Sequence, residues 1–227
     1  MKSMQNMYSN SFDLAIVDPP YGIGESIKNS KSRNTPIKQK NNKLLKAPDN
    51  VYTYAEWDLQ QPAQSYFDEL FRVAKKIILW GSNYFSFTQK KFSSGRIIWD
   101  KVNYNNDFSD CEIAWTNVIN SVRQIEYMWN GMMQGKSILE GRTQQGNKIL
   151  NEKRIHPTQK PIKLYEWLLI NYAKEGDKIL DTHGGSMSIA IACFNLNFDL
   201  TLCEIDKDYY KAGIERFEQH KKQIKLF

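Results

Sequence analysis

The chain has few cysteines, few histidines and no long hydrophobic run. Its 227 residues contain three cysteines without CxxC spacing, at Cys111, Cys193 and Cys203, and three histidines that form no cluster. Neither a disulfide scaffold nor a zinc site is indicated, and we expect no metal. No stretch approaches the roughly 18 apolar residues of a membrane span, and residues 1–12 lack the apolar core of a signal peptide. We therefore expect a cytoplasmic protein with reduced cysteines and no membrane partner.

The remaining sequence is that of one globular domain covering residues 1–227, with 41% hydrophobic residues. Internal repeats are absent, and short β-branched runs alternate with helical patterns. This alternation predicts an α/β fold with a largely parallel sheet. Predicted strands cover residues 13–18, 76–80, 178–182 and 199–204, with an edge pair at 96–101 and 111–116. Predicted helices carry apolar faces at Phe67, Leu70, Phe71 and Ala74, at Tyr165, Leu168, Leu169 and Tyr172, at residues 189–195, and at Tyr210, Ile214 and Phe217.

Positive charge is concentrated in one segment. The formal net charge is +6, and residues 22–50 alone carry a local excess of +5. The basic residues of this segment are Lys28, Lys31, Arg33, Lys38, Lys40, Lys43 and Lys46. The segment lacks helical or strand periodicity, so it is predicted to be a long mobile loop. A solvated lysine-rich loop and a phosphate-binding loop both remain open, because clustered lysines bind nucleic acid through counterion release.

The first predicted strand ends in Asp18-Pro19-Pro20-Tyr21, at the sheet edge where open α/β folds bind ligands. An exocyclic amine of a nucleobase is a poor nucleophile because its lone pair is delocalised into the ring. The Asp18 carboxylate and the Pro19 carbonyl can accept its two N–H groups and localise that lone pair as a methyl group arrives. Two prolines fix the backbone, and Tyr21 can stack on a base drawn out of a duplex. A rigid turn with an Asp cap and a core tyrosine explains the tetrapeptide equally well.

A second group of residues surrounds a glycine turn between a strand and a helix. The turn consists of Asp181, Thr182, His183, Gly184, Gly185, Ser186, Met187 and Ser188. Such a turn lets a ligand approach the backbone, and Glu204 at the end of the next strand can hold ribose hydroxyls. The GxGxxG fingerprint is absent, and Asp206 is equally suited to cap the last helix.

The third motif is His156-Pro157-Thr158-Gln159-Lys160-Pro161, immediately before the helix that contains Tyr165. It can simply begin that helix, with Thr158 near the cap and Pro161 in the first turn. We also expect Lys160 to lie close to the strand that carries Asp181, where a ligand with a carboxylate can use it.

In this order and spacing, the three motifs resemble those of the S-adenosylmethionine-dependent amino-methyltransferases of DNA, in the circularly permuted arrangement called the β class. The resemblance runs from Phe12 to about Phe217. It implies a Rossmann-like methyltransferase fold, in which a mostly parallel twisted sheet has helices on both faces and an antiparallel edge hairpin. It also implies S-adenosylmethionine as cofactor and double-stranded DNA as partner. The aspartate form of the tetrapeptide is similar to adenine-N6 enzymes, whereas cytosine-N4 enzymes usually have serine there.

The resemblance further implies the roles of individual residues. Asp18, Pro19, Pro20 and Tyr21 would form the methyl-acceptor pocket, bordered by residues 80–85, and residues 117–155 would be a short target-recognition insertion. The implied cofactor-binding residues are Asp18, Thr158, Lys160, Asp181, Thr182, His183, Gly184, Gly185, Ser186, Glu204 and Asp206. The implied DNA-binding residues are Lys28, Lys31, Arg33, Lys38, Lys40, Lys43 and Lys46. The turn departs from the family's common D-P-F-x-G-S-G-T at Thr182-His183 and at Met187-Ser188.

Several other functions compete with this one. No cysteine lies beside a Pro-Pro or glycine-rich turn, which argues against cytosine-C5 methylation through a covalent adduct. RNA adenine methylation, DNA cytosine-N4 methylation and a catalytically silent nucleic-acid-binding subunit remain alternatives, although a silent subunit has no reason to keep Asp18 and Tyr21. An unrelated oxidoreductase would need the missing GxGxxG. Family members are often homodimers, and Trp129 with Met132 is one candidate dimer face, with packing in the target pocket as its alternative.

Overall fold

The computed structural model of the chain describes residues 2–24, 37–38, 44–45, 58–86, 93–104, 109–130 and 133–224. The strands are β1 (Phe12–Val17), β2 (Ile37–Lys38), β3 (Leu44–Leu45), β4 (Ala74–Trp80), β5 (Arg96–Asp100), β6 (Cys111–Thr116), β7 (Val122–Glu126), β8 (Trp129–Asn130), β9 (Met133–Gln134), β10 (Lys178–Asp181) and β11 (Asp199–Leu202). The helices are α1 (Lys2–Gln5), α2 (Gln64–Val73), α3 (Ile162–Tyr172), α4 (Ser188–Asn195) and α5 (Lys207–Ile224).

Within the described residues, seven strands form one sheet in the order β11-β10-β1-β4-β6-β5-β7. The four strands β11, β10, β1 and β4 are parallel to one another, whereas β6 runs antiparallel to both β4 and β5. The mostly parallel sheet and its antiparallel pair confirm the predicted fold class. The pair β5–β6 is not the edge itself, because β7 pairs in parallel with the outer side of β5.

Helices cover both faces of this sheet, as predicted. Alternate residues of β1 point to opposite sides: Leu14 and Ile16 join the cluster that includes residues of α3 and α4, whereas Ala15 and Val17 join the cluster with α1 and α2. The strand is buried on both faces, which explains why its sequence is almost continuously apolar. The carboxyl ends of β1, β10 and β11 therefore meet at one edge of a rigid layer.

Two predicted helix faces need correction. The stripe of α2 stops at Val73, because Ala74 is already extended and pairs with Phe12 as the first residue of β4. In α5 the buried face is rotated by one residue from the prediction: Tyr209 is buried, whereas Tyr210 is 50% exposed and Ile214 is 38% exposed. The rotation follows from packing, since the Tyr209 ring lies edge-on to His156 with ring centroids 4.2 Å apart.

The insertion at residues 117–155 contains more regular structure than its sequence predicts. It includes β7, β8, β9 and a 3₁₀ turn at Lys148–Leu150. Strand β7 has little periodicity because three of its five residues are exposed. Trp129 is buried and donates from Nε1 to the Gln159 carbonyl at 2.8 Å, so it cannot form the suggested dimer face.

Several predictions concern residues outside the described part of the chain. The side chains of the seven basic residues between 28 and 46 lie outside it, and so does Met132. In the part that is described, none of the helices has the length and apolar character needed to cross a membrane.

Candidate active site

The motif residues meet where the parallel strands end. Asp18 follows β1 directly, Asp181 is the last residue of β10, and Glu204 lies two residues beyond β11. These three strands are neighbours in the sheet and run in the same direction. Their carboxyl ends form the edge at which α/β sheets bind ligands, so the two predicted halves of the site are adjacent.

Asp18 lies at one end of a chain of charged side chains. Its Oδ1 accepts a hydrogen bond from the Tyr21 hydroxyl at 2.5 Å, and its Oδ2 is paired with the Lys160 ammonium. Lys160 also contacts Glu112 Oε2 at 2.9 Å, and Glu112 Oε1 is 3.2 Å from the Lys101 ammonium. Residues that follow β1 and β5, lie on β6 and precede α3 thus form one chain of ion pairs, in which Lys160 pairs with both carboxylates.

The protonation of these groups is set by burial and by their mutual charges. Burial raises the pKa of Asp18, the attraction of Lys160 opposes this, and the negative charge of Glu112 adds to it. Burial by itself would lower the pKa of Lys160, but the two carboxylates outweigh it and the pKa is raised. The pKa of Glu112 is lowered in spite of burial, because Lys160 and Lys101 favour its anion. The pKa of Tyr21 is raised well above its usual value by burial, so its hydroxyl remains a donor.

The Tyr21 ring is held by aromatic neighbours and by a glycine. It stacks on Tyr84 with ring centroids 4.8 Å apart and an interplanar angle of 14°, and its edge faces Phe85 at 6.1 Å. A Cβ on Gly81 would overlap the Tyr21 ring. The segment at residues 80–85 therefore borders the tetrapeptide, as expected. Base stacking by Tyr21 stays a prediction, and one face of the ring is already covered by Tyr84.

Asp58 fixes the backbone of the turn that follows the prolines. Its Oδ1 accepts from the amides of Tyr21 at 3.0 Å and Gly22 at 3.1 Å, and its carbonyl accepts from the Gly24 amide at 3.0 Å. Asp58, Glu112 and Lys101 were not identified from the sequence. For Glu112 the only signal is an acidic residue inside an otherwise apolar strand.

The glycine turn is linked to the next strand by its backbone amides. The Gly184 amide donates to the Cys203 carbonyl at 2.8 Å, and the Gly185 amide donates to Glu204 Oε2 at 2.6 Å. A Cβ on Gly184 would overlap the Leu202 side chain. The turn therefore packs closely on the end of β11, which brings the Glu204 carboxylate against it.

The first residues of the turn are the buried Asp181 and the half-buried Thr182 and His183. The His183 amide donates to Asp181 Oδ1 at 2.9 Å, while Thr182 Oγ1 lies 2.7 Å from the Tyr66 hydroxyl of α2. Burial raises the pKa of Asp181 to about 7. Burial also lowers the pKa of His183 to about 4, so this imidazole is neutral at pH 7.

The later residues of the turn connect it to α5. Met187 has φ of +57°, a left-handed conformation that glycine adopts most easily, and its buried side chain packs against Gly213. Arg216 Nη1 donates to the Ser186 carbonyl at 2.7 Å, and Arg216 Nη2 pairs with Glu152 at 2.9 Å. Gly213 of α5 thus leaves room for the Met187 side chain, which stands where the family pattern has glycine.

Two of the remaining predicted cofactor residues have structural partners. Asp206 Oδ1 accepts from the amides of Asp208 and Tyr209 at the start of α5, which confirms its capping role, and its own amide donates to Glu204 Oε1. Thr158 bonds through its amide and hydroxyl to His156 Nδ1, at 3.3 and 3.2 Å. The structure joins Lys160 to Asp18 on β1, the neighbour of the strand that carries Asp181. Cofactor contacts of all these residues remain predictions.

Residues 123–215 match the family model for DNA methylases of the N6/N4 type. The chain is 22% identical to the type II methyltransferase M.HpaI of Haemophilus parainfluenzae, over 96% of this chain and 72% of that protein. The solved M1.HpyAVI–SAM complex is 18% identical with a TM-score of 0.51, over 94% of this chain and 92% of that chain. The cytosine-N4-specific PvuII DNA methyltransferase is 12% identical with a TM-score of 0.50, over 96% and 86%.

The likeness to the two solved structures concerns the fold, whereas the family-model match and M.HpaI concern the sequence. The family-model match and M.HpaI therefore relate the chain by sequence to DNA methylases of the N6/N4 type and to a type II methyltransferase.

Proposed function

We propose that this chain transfers a methyl group from S-adenosylmethionine to the N6 amino group of adenine in DNA, and that its motif order is that of the β class. The observation that carries the proposal is the position of Asp18: a half-buried carboxylate directly after β1, one strand away from the glycine turn of β10. A methyl acceptor at Asp18 and a methyl donor on the turn would be neighbours along one sheet edge.

The glycine turn has the chemistry that S-adenosylmethionine requires. Gly185 leaves the backbone open to close approach, Gly184 lets the turn pack on Leu202, and Glu204 presents a carboxylate that can accept from ribose hydroxyls. Asp181 and the hydroxyl of Thr182 supply further polar contacts next to the turn. When bound, the cofactor supplies a methyl group on a sulfonium, which makes the methyl carbon electrophilic.

The chain's own residues then act on the amine. Asp18 would accept one N–H of the amino group and the Pro19 carbonyl the other, which would localise the lone pair on nitrogen for in-line attack on the methyl carbon. The methyl C–S bond would break with its electron pair left on sulfur, and the methylated amine would release one proton to solvent. Lys160 and the Tyr21 hydroxyl keep the Asp18 carboxylate in place. The aromatic side chains of Tyr21, Tyr84 and Phe85 offer an apolar border for a base drawn out of the stack.

Adenine is proposed as the base because the tetrapeptide begins with aspartate. The similarity to the cytosine-N4-specific PvuII enzyme concerns a protein that shares the fold at 12% identity. A carboxylate is a stronger acceptor than a hydroxyl, and it would hold the N6 amine from one side without a proton of its own to donate. Contacts to phosphates are assigned to the basic residues between 28 and 46.

Methyl transfer to unmethylated genomic DNA tests this function. Labelled S-adenosylmethionine is incubated with the chain and DNA, the DNA is digested to nucleosides, and the labelled nucleoside is identified by mass. We expect N6-methyladenine. Labelled N4-methylcytosine would overturn the choice of base, and label that appears only when RNA replaces DNA would overturn the choice of nucleic acid. Cofactor binding without transfer to either would leave the silent subunit as the better description.

A further inference from the structure

Glu112 and Lys101 extend the site beyond the motifs that identified it. Glu112 belongs to β6 and Lys101 follows β5, two antiparallel strands on the far side of β4 from β1. Glu112 nevertheless contacts Lys160 at 2.9 Å and Lys101 contacts Glu112 at 3.2 Å, so both are linked to Asp18 through Lys160. The side chain of Lys160 is 3% exposed, whereas those of Lys101, Asp18 and Glu112 are between 14% and 24% exposed. The four charges alternate in sign along this chain and sum to zero.

Glu112 gives Lys160 a second carboxylate partner besides Asp18, and this affects how strongly Asp18 can accept a hydrogen bond. A lysine paired with Asp18 alone would hold the carboxylate as a full ion pair and reduce its capacity to accept an amine N–H. A second carboxylate with an oxygen 2.9 Å from the same ammonium shares its positive charge by electrostatic attraction. Lys101 in turn compensates the second carboxylate, so that no uncompensated charge is left in a region of low solvent access.

We propose that Glu112 and Lys101 are positioning residues for the reacting carboxylate: Glu112 takes up part of the charge of Lys160, so that Asp18 keeps the capacity to hold the amino group of the target base. This inference rests on the proposed function. Neither residue touches the base in the proposed reaction, because both act through Lys160. Their contribution is to the strength of Asp18 as an acceptor, and so to the rate of transfer rather than to cofactor affinity.

Other titratable groups around Asp18 set the background for this balance. Tyr21 donates a hydrogen bond to Asp18. The negative charge of Asp18 also interacts with Asp181 of β10, Tyr66 of α2 and Tyr165 of α3. The pKa values of all three tyrosines are raised, so they remain neutral donors near pH 7. The pKa of Asp181 lies at about 7, and protonation there removes a negative charge that disfavours ionised Asp18.

The proposal predicts opposite effects for its two residues. Glu112→Gln removes a negative charge, so the pKa of Asp18 should fall and the acid limb of the pH–rate profile should move down by roughly one pH unit. The single-turnover rate at pH 8 should fall by about tenfold, because Lys160 then pairs with Asp18 alone, while the dissociation constant for S-adenosylmethionine stays within about twofold. Lys101→Met removes a positive charge, so the acid limb should move up.

Two further variants separate charge from structure. Glu112→Asp keeps the negative charge and should keep the wild-type acid limb. Lys75→Met breaks an ion pair with Asp13 elsewhere on the same sheet, and it should leave the profile unchanged. A shift of both Glu112→Gln and Lys101→Met in the same direction, or no shift in either, would overturn the proposal and leave the four charges a purely structural network.

A readout without substrate makes this test independent of the proposed function. Carboxyl ¹³C resonances of labelled aspartate, with Asp18 assigned through Asp18→Asn, report the titration of Asp18 in the ligand-free protein. We expect opposite shifts of this titration in Glu112→Gln and Lys101→Met. If the wild-type chain methylates no nucleic acid but these shifts are found, the proposed function fails and the charge balance stands. If methylation occurs without these shifts, the inference fails alone.

Discussion

Gly81 is the residue that lets Tyr21 lie beside Asp18. It has φ of +69°, and a side chain at this position would overlap the Tyr21 ring. Gly81→Ala should therefore displace Tyr21, lower methyl transfer by more than about tenfold and cost about 3 kcal/mol of unfolding free energy, from backbone strain and overlap together. Urea unfolding and single-turnover rates measure the two effects.

Two other glycines are matched controls for this change. Gly176 also has positive φ, at +82°, but a Cβ there would have no described residue within 4 Å. Gly146 has no positive φ, and no described residue would lie within 4 Å of a Cβ there. Gly176→Ala should cost about 1 kcal/mol of stability through strain alone, Gly146→Ala should cost almost nothing, and both should keep full activity. Equal activity losses in all three variants would show that Gly81 has no special relation to Tyr21.

Asp181 should make the unfolding free energy depend on pH. Its pKa is raised to about 7 by burial, above the value of about 3.9 expected in the unfolded chain. Between these values the folded chain holds a proton that the unfolded chain has released. The resulting stabilisation is complete below about pH 4 and is lost as pH rises through 7. Asp181→Asn cannot ionise, although its side-chain oxygen can still accept from the His183 amide.

The comparison at two pH values isolates this effect. Wild type should lose more unfolding free energy than Asp181→Asn between pH 5 and pH 8, because contributions from other groups such as Glu152 cancel in the difference. Denaturant unfolding at both pH values provides the measurement. If the two proteins lose the same amount, Asp181 is already ionised in the folded state at pH 5.

At the scale of elements, the glycine turn depends on its packing against β11. Gly184→Ala should push the turn away from Leu202 and lower the affinity for S-adenosylmethionine by about tenfold, which corresponds to about 1.4 kcal/mol. Leu202→Ala in the same chain removes the overlapping atoms and should restore most of the affinity. Calorimetric titration of the single and double variants decides the matter. Failure of Leu202→Ala to rescue would mean that the affinity is lost for a reason other than this overlap.

The sequence predicted best the strands and helices that are buried and therefore have largely apolar sequences. Strands β1, β4, β6, β10 and β11 and helix α4 were each found within two residues of their predicted bounds. Strand β7 was missed because an edge strand with an exposed Val122 shows little alternation. The end of α2 was misplaced because apolar periodicity continues through Ala74, whereas pairing with Phe12 makes that residue a strand.

Contacts of the candidate site were predictable from the sequence only where the residues lie close together along the chain. Asp18 and Tyr21 are three residues apart, and the turn amides lie next to their own strand, so the motifs revealed them. The contact of Glu112 with Lys160 joins residues 48 positions apart through the register of β4 and β6. No periodicity or motif in a single sequence specifies that register. The prediction that Lys160 lies close to the strand of Asp181 did not include its pairing with Asp18 and Glu112.

At the scale of the whole molecule, the net charge of +6 should govern binding to DNA. Replacing Lys31, Lys38 and Lys43 together by glutamine should weaken binding and reduce the slope of log affinity against log salt by up to about 3. The matched control replaces Lys174, Lys211 and Lys222, which are exposed and lie outside residues 22–50. Equal slopes for the two triple variants would remove the basic segment from the interface.

The central claim is that Asp18 holds the amine during transfer from a cofactor on the glycine turn. The most direct measurement is single-turnover methylation of an adenine-containing duplex by wild type and Asp18→Asn, with cofactor affinity measured in parallel. The asparagine keeps the shape but cannot supply a carboxylate acceptor, so the rate should fall by a factor of about 100 or more while the dissociation constant for S-adenosylmethionine changes by less than about threefold. An unchanged rate in Asp18→Asn would contradict the account.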